Sequence, residues 1–124
     1  MKKVFLDTNF LIDLIKFKID LEEIQMFLQE PTTNFFIFSS TLKELQKIAT
    51  NKGKSGSWAK LALELIKLRN IKILETEQNP DKAFLNLADK NTIIATNDSN
   101  LRKKLKSLGI KTIYLRAKKY LEVS

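Results

Sequence analysis

Short apolar runs alternate along the chain with longer stretches in which apolar residues recur every three or four positions. Runs of the first kind are typical of buried strands, and stretches of the second kind are typical of amphipathic helices. The predicted strands span residues 3–6, 35–38, 71–74, 92–96 and 111–115. The predicted helices span residues 10–17, 21–28, 41–49, 58–69, 81–90 and 100–107.

This alternation of strand and helix predicts an α/β fold. Parallel strands joined by helices are covered on both faces, so we expect a three-layer α/β/α sandwich with a parallel sheet of about five strands. The chain has 124 residues, and neither a linker nor an internal repeat interrupts the pattern. We therefore expect residues 1–124 to form a single domain.

Turn-forming and capping residues mark the ends of several predicted elements. Asn79-Pro80 is a typical helix start, because asparagine caps well and proline fits the first helical position. Asp98 or Ser99 can cap the last predicted helix, and Gly109 can end it. Residues 118–124 are expected to form a short tail.

The segment 51–57 holds two of the three glycines and predicts a flexible loop. Ser57 can then cap the helix that spans residues 58–69. Three leucines of this helix recur at helical spacing and are expected to face the core. They are Leu61, Leu65 and Leu68.

The chain contains neither cysteine nor histidine. Disulfides, thiolate chemistry, Ser-His-Asp or Cys-His catalysis and ordinary zinc sites are therefore excluded. Any bound metal must have oxygen ligands, which favours Mg²⁺ or Mn²⁺. The sequence shows no membrane-spanning apolar run and no signal-peptide pattern, so we expect a soluble cytoplasmic protein with no membrane partner.

The formal net charge is +8, and basic residues concentrate from Lys43 to Lys72 and from Ser99 to Leu121. Charged runs often only solvate helix faces, but a polarised positive charge favours an anionic polymer such as a nucleic acid. Such a polymer would be held through its phosphates. The residues expected to contact it are Lys43, Lys52, Lys54, Arg102, Lys103, Lys104, Lys106, Arg116, Lys118 and Lys119.

Four acids stand just after a predicted strand or in the first turns of a predicted helix, namely Asp7, Glu44, Asp81 and Asp98. These positions map to the carboxyl edge of the sheet, where open α/β folds bind ligands. Each acid singly has an ordinary interpretation as a helix cap, a first-turn acid, a solvated residue or a turn former. Together they would repel one another unless a cation lies among them, which favours a metal site. Other helix acids such as Asp13 are expected to be solvated.

The segments around these acids resemble the ordered motifs of the PIN-domain ribonucleases. The matching segments are Asp7-Thr8-Asn9-Phe10-Leu11, Glu44 within Leu42-Lys-Glu-Leu45, Asp81-x-x-Phe84-Leu85-x-x-Ala88, and Ala95-Thr96-Asn97-Asp98-x-x-Leu101-Arg102. The resemblance spans nearly the whole chain. The ending of the chain is similar to archaeal single-domain members, which are related to VapC-type toxins and to the PIN nuclease of small-subunit rRNA processing.

This resemblance implies a parallel sheet with the order 3-2-1-4-5 and a catalytic set of Asp7, Glu44, Asp81 and Asp98. It also implies that Asn9 and Thr96 support the site by hydrogen bonding. Many relatives carry two adjacent acids where this chain has Asp81 alone. The implied partners are RNA, an antitoxin protein and a second copy of the chain.

We therefore expect an endoribonuclease that uses one or two Mg²⁺ or Mn²⁺ ions to hydrolyse phosphodiester bonds, as a VapC-like toxin or an RNA-processing enzyme. Asp7, Asp81 and Asp98 are the expected metal ligands, with Glu44 completing the site. The main alternative is a non-catalytic RNA-binding or ribosome-assembly scaffold on the same fold. A phosphoryl-transfer enzyme fits poorly because Asn9 replaces the second acid of its DxD motif, and a receiver domain fits poorly because its phospho-acceptor Asp is missing after residue 74.

Overall fold

The computed structural model describes residues 2–86, 91–117 and 119–123, with the side chains of Pro80 and Asp81 outside that description. The described strands are β1 (Lys3–Leu6), β2 (Asn34–Phe38), β3 (Lys72–Leu74), β4 (Thr92–Ala95), β5 (Lys111–Arg116) and β6 (Tyr120–Val123). The described helices are α1 (Thr8–Lys16), α2 (Leu21–Leu28), α3 (Ser39–Ile48), α4 (Lys54–Leu68), α5 (Pro80–Leu85) and α6 (Ser99–Ser107).

The strands form one sheet with the order β3-β2-β1-β4-β5-β6. All neighbouring strands are parallel except β5 and β6, which are antiparallel. The predicted α/β class and the order 3-2-1-4-5 are therefore confirmed. The sixth strand is a difference, because it occupies much of the segment expected to be a short tail. A tight turn after β5 returns the chain antiparallel, so no crossover helix is needed.

The two faces of the sheet carry separate apolar clusters because successive side chains of a strand point to opposite faces. Val4 and Leu6 belong to the cluster that α1, α2, α3 and α4 cover. Phe5 belongs to the second cluster, which α5 and α6 cover. In that second cluster Phe5 stacks on Phe36 and Phe38 at ring-centroid distances of 5.0 and 5.1 Å. The helices thus lie on both faces, and β1 is buried at the centre of the sheet.

Helix α4 differs from its predicted form at its beginning. It starts at Lys54, inside the segment expected to be a loop, and Gly53 with a φ of +98° precedes it. Gly56 lies in the first turns of the helix, where an added Cβ would stand 2.0 Å from the carbonyl oxygen of Asn51. A side chain at Gly56 would therefore collide with the backbone, whereas Gly53 has open space around it and provides the positive φ before the helix.

The predicted inner stripe of α4 is wrong for two of its three leucines. Leu61 and Leu68 are 48% and 78% exposed, whereas Leu65 is partly buried against the core. The buried face consists mainly of the small residues Gly56, Ala59 and Ala62, together with Ile66. Helix α4 packs against both α1 and α3, and small side chains let three helices approach closely. Within the described part of the chain, no helix is long and apolar enough to cross a membrane.

Candidate active site

Asp7 lies directly after β1, at the carboxyl edge of the sheet. Its backbone N–H donates to the carbonyl of Ala95 at 2.9 Å, so the residue is level with the end of β4. Its side chain caps α1, because Oδ1 accepts the N–H of Thr8 at 2.9 Å. The residue is only 8% exposed. Asp7 is therefore a buried carboxylate with a fixed orientation at the junction of the two central strands.

Thr96 connects Asp7 to the turn after β4. Its hydroxyl donates to Oδ2 of Asp7 at 2.8 Å and accepts the backbone N–H of Asp98 at 3.2 Å. Thr96 is completely buried. A hydroxyl has one proton to donate and lone pairs to accept with, so a single side chain can make both bonds. The loops after β1 and β4 are thereby tied together.

Asp98 is exposed and stands at the start of α6. Its Oδ1 accepts the backbone N–H groups of Asn100 and Leu101 at 2.9 and 3.2 Å, which makes Asp98 the helix cap. No hydrogen bond to Oδ2 is present within residues 2–86, 91–117 and 119–123. Asp98 can therefore cap α6 with Oδ1 and still offer Oδ2 to a metal ion.

Glu44 lies on the exposed side of α3, beside a groove with a volume of about 970 Å³. The groove lies between α3 and the loop that follows β3. The hydroxyl of Ser39 holds that loop, since it accepts the N–H of Thr76 at 2.9 Å and donates to its carbonyl at 3.1 Å. The charged residues that line the groove are Lys43, Glu44, Lys47, Glu75 and Glu77.

Asp81 belongs to α5, which Asn79 caps by accepting the N–H of Lys82 at 2.9 Å. The side chain of Asp81 lies outside the described residues, so its convergence with Asp7 and Asp98 stays a prediction. Among the described residues, no three acids form a group that could hold a metal ion. Asn9 is exposed on α1, and its supporting role also stays a prediction.

A second pair of polar side chains, Asn97 and Asp13, lies beside the Asp7, Thr96 and Asp98 group. The sequence did not predict this pair. Asn97 donates to Oδ2 of Asp13 at 2.6 Å, and its carbonyl oxygen accepts the N–H of Leu115 at 2.9 Å. The chain leaves the sheet after β4, so no further backbone carbonyl of β4 is available to accept from β5. The side-chain carbonyl of Asn97 takes that place and accepts the N–H of Leu115. Asp13 was expected to be solvated but is half-buried and bonded. The position of Asn97 directly after a strand was the available signal.

Three buried hydroxyls at the same edge have no hydrogen-bond partner in the described part of the chain. They belong to Thr8, in the first turn of α1, and to Ser40 and Thr41, in the first turn of α3. Buried polar atoms are normally satisfied, so each unsatisfied one calls for an explanation, such as a bound water or ion. Carboxylate and hydroxyl oxygens are ligand atoms that suit Mg²⁺ or Mn²⁺. The chemistry of the edge therefore fits an oxygen-bound divalent ion.

The predicted phosphate-binding residues occupy different environments. Arg102 is half-buried, and its guanidinium carbon lies 3.7 Å from the centroid of the Tyr114 ring. Lys118 lies outside the described residues. The exposed members are Lys43, Lys52, Lys54, Lys103, Lys104, Lys106, Arg116 and Lys119. Contact with phosphates stays a prediction for all of them.

Several known proteins are similar to this chain in sequence or in fold. Residues 4–118 match the family described as PIN like domain. The chain is 38% identical to ribonuclease VapC4 of Methanocaldococcus jannaschii over 99% of this chain and 97% of that protein. It is 35% identical to ribonuclease VapC9 of Archaeoglobus fulgidus over 70% of this chain and 64% of that protein. The structure of the PIN domain endonuclease Utp24 superimposes with a TM-score of 0.80 at 26% identity, covering 98% of this chain and 90% of that one. The chain therefore belongs to the PIN-domain family.

Proposed function

We propose that this protein is a ribonuclease that hydrolyses RNA phosphodiester bonds, with Mg²⁺ or Mn²⁺ held by Asp7, Asp81 and Asp98. The observation that carries the proposal is the Thr96 hydroxyl, which joins the Asp7 carboxylate to the Asp98 turn at the carboxyl edge. The similarity to a ribonuclease over nearly the full length supports it.

Each residue has a distinct role in this proposal. Thr8 N–H and the Thr96 hydroxyl orient Asp7, so that its carboxylate keeps one position when a ligand binds. Asp98 uses Oδ1 for the helix cap and presents Oδ2. When bound, the ion would lower the pKa of a coordinated water and neutralise charge that develops on the phosphate. The chain has no histidine that could act as a general base in its place.

The groove beside Glu44 is the proposed path for RNA near the site. Lys43 and Lys47 line it and can attract phosphates, whereas Glu44, Glu75 and Glu77 line it with opposite charge. Phosphate contacts give affinity that depends on salt and does not select a sequence. We therefore expect RNA binding to weaken as salt concentration rises.

The test compares RNA cleavage by the wild type, Asp7→Asn and Asp98→Asn. Metal catalysis contributes several kcal/mol to such reactions, so loss of a ligand should slow cleavage by about a thousand-fold or more. Asp20→Asn is the matched control, because Asp20 precedes α2 but makes no side-chain cap bond and follows no strand. EDTA should abolish the activity of the wild type, and thermal melting should show that the variants remain folded.

Two outcomes would contradict the proposal in different ways. Full cleavage in EDTA, or full activity of Asp7→Asn, would show that an ion at Asp7 is not required. Binding of RNA without cleavage in Mg²⁺ or Mn²⁺ would favour the non-catalytic scaffold instead.

Two cellular roles follow from the family, a VapC-like toxin restrained by an antitoxin protein and an RNA-processing nuclease. Expression in cells separates them. A toxin should arrest growth, Asp7→Asn should not, and an antitoxin encoded by a neighbouring gene should restore growth. Light scattering of the purified protein tests the expected homodimer.

A further inference from the structure

The β5–β6 hairpin places two aromatic and two charged residues on one face of the sheet. Tyr114 is opposite Glu122, and Arg116 is opposite Tyr120 in the antiparallel register. These four positions alternate with Leu115 and Leu121, which pack into the cluster covered by α1 to α4. The polar and aromatic set therefore faces the other side, next to α6.

A chain of contacts fixes this surface. Arg102 of α6 stacks on the ring of Tyr114, whose hydroxyl donates to Oε2 of Glu122 at 3.0 Å. The same oxygen pairs with Nε of Arg116 at 3.1 Å. Because the recorded contact is to Nε, Arg116 keeps further guanidinium N–H groups beyond this pair. The guanidinium is held in place and keeps donors for another anion.

Tyr120 stands at the end of this chain of contacts. It is 53% exposed, and two cations flank its ring. The guanidinium carbon of Arg116 lies 5.6 Å from the ring centroid, and Nζ of Lys119 lies 5.9 Å from it. An exposed aromatic ring beside two exposed cations combines the two features that bind single-stranded nucleic acid, a stacking surface and positive charge for the backbone.

Tyr120 also lies at the same edge as the candidate active site. Arg116 ends the parallel strand β5 at its carboxyl end, and Tyr120 begins β6 opposite it. In the order β1-β4-β5-β6, three strand spacings separate β1 from β6, or about 14 Å. That span is about four nucleotides of a stacked strand, which rises 3.4 Å per nucleotide, and fewer of an extended one.

We propose that Tyr120 stacks on one base of the bound RNA strand while Arg116 and Lys119 contact the adjoining phosphates. The ligand class is single-stranded RNA, because a base that stacks on a side chain must be unpaired. The proposal rests on the proposed function only in taking RNA as the ligand. It adds a binding position several nucleotides from Asp7.

The test measures binding of a short single-stranded RNA in EDTA, so that cleavage does not interfere. Tyr120→Ala should weaken binding by roughly five- to a hundred-fold, whereas Tyr120→Trp should retain it. Val123→Ala is the matched control, because Val123 lies on the same strand, is exposed and occupies the opposite face. The control should bind like the wild type.

Salt dependence separates the stacking residue from its cationic neighbour. Tyr120→Ala should leave the slope of log affinity against log salt unchanged, whereas Arg116→Ala should reduce its magnitude by about 0.7. In a Trp58→Phe background, the fluorescence of Tyr120→Trp should be quenched by RNA and not by inorganic polyphosphate, which has no bases.

Several results would overturn the inference. They are unchanged affinity of Tyr120→Ala, an equal loss of affinity for duplex RNA, and no binding of single-stranded RNA by the wild type at low salt. The outcome is separable from that of the proposed function. RNA that is bound through Tyr120 but never cut would remove the nuclease proposal alone. RNA that is cut normally while Tyr120→Ala binds like the wild type would remove this inference alone.

Discussion

The group formed by Asp7, Thr96 and Asp98 and the β5–β6 hairpin share one edge of the sheet. The two regions differ in burial and in charge. Thr96 is completely buried and joins two acid-bearing loops, whereas Tyr120 is 53% exposed and stands beside cations. Chemistry on a phosphate needs groups held within a fraction of an ångström, which buried hydrogen bonds provide. Holding a flexible polymer needs accessible charge and flat surface. On the proposed function, the buried region would position the catalytic groups and the exposed hairpin would hold the RNA strand, so the two tasks would lie in separate parts of the edge.

Among the substitutions that test this comparison, the largest effect is expected for Thr96→Val, which removes the hydroxyl that joins Asp7 to the Asp98 turn. Groups that orient metal ligands typically contribute 10- to 100-fold to activity, so RNA cleavage should fall by about that factor. Each buried group left without a partner should also cost about 1–3 kcal/mol of unfolding free energy. Cleavage rates and urea denaturation measure the two effects, while RNA affinity in EDTA should change little.

Thr112→Val is the matched control for this change. Thr112 is also completely buried, on the neighbouring strand β5, but its hydroxyl has no partner among the described residues. Replacing an unsatisfied hydroxyl by a methyl group should leave stability unchanged or increase it. Equal loss of activity in the two variants would show that the Thr96 hydroxyl has no special role.

A smaller effect is expected for Asn97→Ala, at the boundary between the two regions. The substitution leaves the Leu115 N–H and the Asp13 carboxylate without this partner, so unfolding free energy should fall by about 1–3 kcal/mol. Urea denaturation measures this fall in unfolding free energy. Asn100→Ala is the control, because Asn100 is exposed. This substitution should change the unfolding free energy by no more than about 0.5 kcal/mol. A stable Asn97→Ala protein would show that the end of β4 needs no side-chain acceptor.

The smallest effect is expected for an ion pair that belongs to neither region. Arg69 pairs with Glu22 and lowers the pKa of that carboxyl below its ordinary value of 4.5. The pair therefore stabilises the fold above about pH 4.5 and loses this contribution as pH falls through the lowered pKa. Because both side chains are exposed, the contribution is small. Glu22→Gln should remove this part of the acid dependence in thermal melting and leave RNA cleavage unchanged.

The sequence predicted the fold well because its periodicity reports local burial. Central strands such as β1 and β4 are apolar on both faces, and this pattern identifies a sheet covered by helices. β6 was missed because its pairing with β5 depends on the turn after Arg116. In that turn Ala117 adopts a φ of +53°, which no residue type at that position signals.

Helix α4 shows where periodicity is ambiguous. Leu61, Leu65 and Leu68 repeat at helical spacing, and so do Ala59, Ala62 and Ile66. Hydrophobicity favours the leucines, but the inner face that packs against α1 and α3 carries Ala59 and Ala62. Which face of α4 lies inward depends on the packing of the three helices and cannot be found in the α4 sequence.

For the candidate site, the positions of the acids along the chain were informative and the resemblance implied the hydrogen bonding of Thr96, but the side-chain bonds of Asn97 were not predicted. Asp7 and Asp98 follow strands, and parallel strands bring such residues to one edge. The bond from Asn97 to Asp13 joins residues 84 positions apart, and no local pattern encodes it. The contact between Tyr120 and Arg116 likewise depends on the pairing of β5 with β6, whereas Lys119 is the sequence neighbour of Tyr120.

The bond between Thr96 and Asp7 also has a consequence for biosynthesis. The two residues are 89 positions apart, although their strands are neighbours in the sheet. A growing chain that has emerged only as far as β3 contains Asp7 but neither Thr96 nor Asp98. Contacts between such distant residues form late, after the cost of closing a long loop has been met. On the proposed site assignment, the catalytic edge would be completed only when most of the chain has left the ribosome, and unfinished chains would be inactive beside abundant RNA.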